Sequence, residues 1–148
     1  MIRQIKDSDI GRIAEIIVYN NRKNFYPIFQ DIKYSFEEFN VFSVAEMFRS
    51  DVDFMQNTYV YEDEVIKGFI CVAEEEIRKL YVDSFFQNEG IGGQLITFAM
   101  DKLSANHLWA LEKNTGALRF YEKHGFRMDG KKEYEEGTTE FLVHMIRV

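Results

Sequence analysis

The stretch IRKLYVDSFFQNEGIGGQLITFAMDKLS, Ile77 to Ser104, decides how the rest of the chain is read. Ile77 to Val82 carries apolar and aromatic residues that suit a strand, Asp83-Ser84 breaks it, and a helical pattern restarts after Gly90-Ile91-Gly92-Gly93. A helix start leaves about four N–H groups unpaired and carries roughly half a positive charge. A glycine-rich loop at that point can therefore close its main chain around a phosphate. Two common nucleotide motifs are excluded. Leu95 stands where the last glycine of G-x-G-x-x-G would be, and no Gly-Lys-Ser/Thr triplet exists for a P-loop.

With 148 residues, 46% hydrophobic and 16% aromatic, the chain is expected to form one domain, 1–148, with a packed core. No run of about 18 apolar residues and no leader-like segment is present, so neither a membrane span nor a signal peptide is expected, and the protein is expected in the cytoplasm. Cys71 is the single cysteine and sits in the apolar run Phe69 to Ala73, which favours a buried strand thiol. The three histidines are widely spaced with no cysteine set, so no metal site is expected. The net charge of -7 argues against nucleic acid as a partner. Between Asp31 and Glu64, nine acids face only Lys33 and Arg49, while acids and bases balance elsewhere.

Ile2 to Ile5 reads as a strand. Asp7 or Ser8 can cap a following helix in which Ile10, Ile13, Ile16 or Ile17, and Tyr19 or Asn20 recur at helical spacing. Asn21 to Tyr34 has no clean period and holds Pro27 and four aromatics, Phe25, Tyr26, Phe29 and Tyr34. It reads as a loop or broken helix that covers the core or lines an acceptor pocket. Ser35-Phe36-Glu37-Glu38 has capping-box spacing for a helix to Arg49. Asn57–Tyr61 and Val65–Ala73 form a hairpin turned at Glu62-Asp63-Glu64, with Gly68 marking a bulge. Beyond the glycine loop, Ile91, Leu95, Phe98, Ala99 and Leu103 make one buried helical face. His107–Leu111 is a strand, Asn114 caps a helix closed by Gly125, and two strands follow near Arg127–Tyr134 and Thr139–Arg147.

Two segments carry a resemblance. Gln87-Asn88-Glu89-Gly90-Ile91-Gly92 is similar to the Q/R-x-x-G-x-G/A pyrophosphate loop of the GNAT N-acetyltransferases. Asn114, Ala117, Phe120, Tyr121, Glu122, Lys123, Gly125 and Phe126 match that family's N-x-x-A-x-x-F-Y-E-K-x-G-F segment. The resemblance covers nearly the whole chain, strongest from Ile77 to Phe126 and weakest from Asn21 to Gln56. It implies an α/β (α+β) fold: a mixed, mostly antiparallel sheet of about six or seven strands with about four helices. The sheet would splay between the Ile77 and His107 strands around acetyl-coenzyme A.

The resemblance also implies roles. Main-chain groups from Gln87 through Asn88, Glu89, Gly90, Ile91 and Gly92 to Gly93 would hold the pyrophosphate, with glycine at 90 and 92 required for freedom to turn. Glu89 departs from the basic or small residue frequent there. Leu80, Tyr81 and Val82 would pair with the pantetheine arm, Val82 N–H serving as oxyanion donor, and Asn114 would contact the same arm. Tyr121 falls at the general acid that protonates the leaving thiolate. Glu76, six residues before the valine, falls at the base of some members. Its neighbours Glu74 and Glu75 would raise its pKa and Arg78 would lower it; a water chain to solvent is the alternative. The implied reaction is direct attack of a primary amine, small-molecule or peptide, on acetyl-CoA in a ternary complex. A noncatalytic acyl-CoA sensor is the alternative, and a homodimer is left open.

Overall fold

The computed structural model describes residues 1–148. Strand β1 (Ile2–Gln4) leads through a 3-10 turn at Asp7–Asp9 into α1 (Ile10–Asn24), whose Ile10, Ile13, Ile16 and Ile17 are buried as their spacing implies. Truncating one of these, Ile13→Ala, would cost about 2–5 kcal/mol. Neither Asp7 nor Ser8 caps this entrance. The Asp9 carboxylate accepts from Lys6 N–H at 2.8 Å and is clasped by both terminal nitrogens of Arg3.

Helix α2 (Tyr26–Phe29) ends on Gln30 at φ 55°. The expected helix from Ser35 does not form as read. Tyr34–Glu38 is a π-helical turn, and α3 (Val41–Arg49) begins only after Asn40, whose side chain accepts from Ser43 N–H at 2.9 Å. Ser35 has other partners, Arg22 on its carbonyl and Asp31 on its N–H, so Asn40 provides the stronger start. Asp51 caps α4 (Val52–Asn57) in the same way.

Seven strands follow one order across the sheet, β1-β2-β3-β4-β5-β7-β6, antiparallel except for β4 beside β5. Their ranges are β2 Thr58–Asp63, β3 Val65–Ala73, β4 Glu76–Val82, β5 His107–Leu111, β6 Phe126–Tyr134 and β7 Phe141–Arg147. The β2–β3 register slips beside Gly68, where Tyr61 pairs Gly68 and Glu62 pairs Ile66. Helices α1, α3 and α4 cover one face through a core that includes Ile13, Phe48, Phe54 and Phe69. Helices α5 (Ile91–Lys102) and α6 (Thr115–Lys123) cover the other, over Leu95, Ile96, Leu108, Phe126 and Met145. Cys71 is buried in the first core, and that burial pushes its thiol pKa up.

The sheet opens between β4 and β5. Their pairing consists of Glu76 with His107 and Ile77 with Leu108, after which β4 continues to Val82 alone on that side. On its other side β4 carries a bulge: Ile77 faces Val72, Lys79 faces Cys71, and Arg78 has no partner. The extra residue resets the alternation of side chains. Ile77, Leu80 and Val82 all pack on the α5/α6 face, while Tyr81 packs on the α1 face.

Candidate active site

The loop joining β4 to α5 is pinned at its start. Arg12 reaches from α1 to the Asp83 carboxylate at 2.6 Å, and the same carboxylate accepts from Phe85 N–H at 2.8 Å. Asn88 and Gly90 then take positive φ, 66° and 81°. The N–H groups of Asn88, Glu89 and Gly90 make no hydrogen bond within the chain. Those of Ile91, Gly92 and Gly93 open α5 without a side-chain cap. This concavity of free donors at a helix N-terminus has the chemistry of a phosphate cradle, and buried Ile91, Leu95, Ile96 and Ala99 hold it rigid. A cavity of about 470 Å³ opens beside it, lined by Gly90, Gly93, Gln94, Thr97, His124 and Ile2. Glu89 is exposed beside the cradle.

The two glycines differ in what they need. Gly90 needs its left-handed backbone. Gly92 has ordinary helical φ, and its requirement is space, since an added Cβ would stand 3.2 Å from the Phe120 ring of α6. The expectation that both serve the turn is corrected on that point.

Register determines which main-chain groups of β4 face the opening. Asp83 N–H donates to Lys67 O at 2.8 Å, and antiparallel alternation then turns Tyr81 toward Phe69 of β3 and Leu80 and Val82 toward the β5 side. Of the three strand residues read from the sequence, Tyr81 therefore has its main chain occupied within the sheet. Val82 O accepts from Asn20 Nδ2 at 3.0 Å and Gln87 Nε2 at 3.2 Å. Sequence reading missed this clamp. The signal was a polar Asn20, 2% exposed, on the apolar face of α1.

Tyr121 lies on α6 against the same core as Leu80 and Val82, edge-on to Phe120 and Phe126. Its hydroxyl has no protein partner, and burial pushes its pKa up to about 12, so the phenol holds its proton at neutral pH. The Tyr81 hydroxyl donates to Asn21 Oδ1 at 3.2 Å, and burial together with the nearby Tyr121 and Tyr34 phenols raises its pKa. The phenols of Tyr121 on α6 and Tyr34 in the turn after α2 are thus near enough to act on that of Tyr81 on β4. Asn114 caps α6, accepting from Ala117 N–H at 3.4 Å, and its amide nitrogen is unengaged. Glu76 sits at the closed end of the opening with Arg78 Nε at 3.7 Å. Six residues at roughly 3.3 Å each put it about 20 Å along the strand from Val82. Glu74 and Glu75 form the exposed β3–β4 turn at positive φ.

Residues 55–128 match the model of the acetyltransferase (GNAT) domain. The chain belongs to the GNAT acetyltransferase family. A relative, the peptidyl-lysine N-acetyltransferase YjaB of Salmonella typhimurium, is 31% identical over 75 residues, which cover 51% of each chain. This GNAT chain thus spans about half the length of that curated relative in the match. The fold is shared more widely. An N-acetyltransferase of Staphylococcus aureus superposes with a TM-score of 0.77 at 19% identity, covering 99% of both chains. The PaiA N-acetyltransferase of Thermoplasma acidophilum, solved with coenzyme A, gives 0.66 at 19% identity over 97% of this chain and 96% of that one. No helix of the chain is long and apolar enough to cross a membrane.

Proposed function

We propose that this GNAT chain is an N-acetyltransferase that moves the acetyl group of acetyl-CoA to a primary amine by direct attack in a ternary complex. The observation that carries this reading is the cradle of unpartnered N–H groups from Asn88 to Gly93, set at the mouth of a sheet opening that Tyr121 overlooks. Acetyl-CoA would supply an acetyl thioester. The cradle, with Gln87 at its edge, would hold the pyrophosphate. Leu80 and Val82 would pair with the pantetheine arm, and the free amide of Asn114 would add a contact from α6.

An amine attacking a thioester carbon needs the carbonyl polarised and the sulfur protonated as it leaves. Val82 N–H, turned toward the opening, would take the developing oxyanion, and the Tyr121 phenol would give its proton to the thiolate. The proton of the amine would leave by way of Glu76 or along a water chain to solvent, Glu76 lying too far along the strand for direct contact. In support of a small or peptidic acceptor, relatives of the fold include a spermidine N-acetyltransferase of Vibrio cholerae and the peptidyl-lysine enzyme of Salmonella.

The test is release of coenzyme A thiol from acetyl-CoA across a panel of polyamines, aminoglycosides, amino acids and lysine peptides. Amine-dependent release supports the transferase. Binding of acetyl-CoA with no release by any amine would sink it and leave a sensor.

A further inference from the structure

The sheet face that α1 shares continues beyond the opening as a row of side chains outside the site just described. Ile77, Leu108, Val143 and Met145 point into the α5/α6 core, so Glu76, His107, Trp109 and His144 emerge on the opposite side. Trp109 is the first β5 residue after Leu108, where pairing with β4 stops, so it stands at the opening itself. Its ring centroid is 4.7 Å from that of His144, and His107 is 5.3 Å from His144 on the other side. The His144 Nδ1 is 2.7 Å from Asp129 Oδ2 of β6. A carboxylate can only accept, so Nδ1 carries the hydrogen and Nε2 holds a lone pair. Behind His144 a cavity of about 500 Å³ opens, lined by Asn106, His107, Lys131, His144, Ile146 and Arg147.

The pair is thus an oriented base packed against Trp109, which stands at the opening, and lining a cavity on its other side. We propose that the Asp129–His144 pair takes the proton of the attacking amine, in place of Glu76, and passes it to water in the cavity behind. The inference rests on the transferase reading. His144 Nε2 takes one proton from R–NH3+ through water, leaving R–NH2 and an imidazolium beside the Asp129 carboxylate. The nitrogen pair bonds the thioester carbon, the C–S bond breaks, and the thiolate takes the Tyr121 proton. Tyr121 recovers a proton from the acylated nitrogen, and His144 releases its own to solvent. Glu76 is engaged with Arg78, whereas His144 keeps one ring nitrogen free. The titratable and charged groups around the pair are His107 of β5, which packs on His144, and Lys131 of β6 and Arg147 of β7, which line the same cavity; Glu76 of β4 pairs with His107.

The experiment compares pH profiles of kcat/KM for wild type, Asp129→Asn and His144→Gln, using the amine with the fastest thiol release in the panel. Asp129→Asn is expected to move the acidic limb to lower pH, because the imidazolium loses its carboxylate. His144→Gln is expected to lower kcat at least tenfold and abolish that limb, with the acetyl-CoA melting shift preserved. An unmoved acidic limb in Asp129→Asn overturns the proposal even if His144→Gln fails to fold. A wild-type limb in a folded His144→Gln does the same. Absence of transfer by wild type would instead remove the transferase reading and this step with it.

Discussion

Gly92 of α5 lies against the ring of Phe120 on α6, close enough that a single added methyl would meet Phe120 Cε1 at 3.2 Å. The helix that presents the cradle and the helix that carries Tyr121 therefore touch at a glycine. Gly92→Ala must push the ring back by a few tenths of an ångström; crowding of about 1–3 kcal/mol is set against about 1 kcal/mol gained in helix propensity, so a lower Tm without acetyl-CoA is expected. A Tm equal to wild type would show that the ring moves aside freely.

Gly90 has nothing near its missing Cβ, and its φ of 81° is the constraint. Gly90→Val should leave a folded protein that gains no melting shift from acetyl-CoA, whereas wild type should gain about 2.7 kcal/mol at a hundredfold excess over Kd. A full shift in the variant would remove the cradle from the cofactor site.

Tyr121→Phe keeps the ring and deletes the proton. It should reduce kcat by roughly 10- to 1,000-fold at unchanged acetyl-CoA affinity. Since burial holds the phenol pKa at about 12, the wild-type alkaline limb should not reflect Tyr121 below that pH. Turnover equal to wild type, with chemistry rate-limiting, would leave Tyr121 a packing residue.

Arg3 joins β1 to the start of α1 and to β2 by gripping Asp9 at 2.8 and 3.1 Å and Glu62 at 2.9 Å. These bonds hold both carboxyls below their usual range. A depressed carboxyl stabilises the fold above its unfolded value, 3.8 for Asp9, and that contribution disappears as pH falls through the depressed folded value. Tm should fall over that acid window, and Asp9→Asn should start lower at neutral pH and fall less. Parallel Tm–pH curves for the two proteins would contradict the linkage.

Glu37 and Glu38 of the acid-rich segment are exposed in the Tyr34–Glu38 turn, whose Tyr34 phenol lies near enough to act on the Tyr81 hydroxyl. A cationic amine would be drawn there by a field that fades as the Debye length shrinks from about 10 Å at 0.1 M salt to about 3 Å at 1 M. Values of kcat/KM should fall with ionic strength, and Glu37→Lys with Glu38→Lys should lower them further at constant kcat. A salt-independent kcat/KM would exclude steering.

The legible parts of the molecule were those in which local chemistry and tertiary structure agree. Gly90 and the Ile91–Ala99 face announce a loop and a buried helix together, and Asn114 with Gly125 bounds α6 in the same way. Between Asn21 and Asn57 they disagree. Ser35 offers a good cap, but Arg22 and Asp31 occupy its main chain, and the helix waits for Asn40. The Asp129–His144 pair was illegible for a different reason: fifteen residues and a register slip in β6 separate the two. No spacing rule anticipates a contact made across a distorted hairpin.

Arg78, the unpaired residue of β4, makes the cleft a matter of counting. Deleting it would remove the bulge and still leave Ile77, Leu80 and Val82 toward α5 and α6 and Tyr81 toward α1, because Ile77 already faces Val72 and Lys79 already faces Cys71. Loss of a residue between Lys79 and Val82 has no such slack and would exchange inside for outside at the opening. A change of length should therefore be tolerated at Arg78 and not three residues further on.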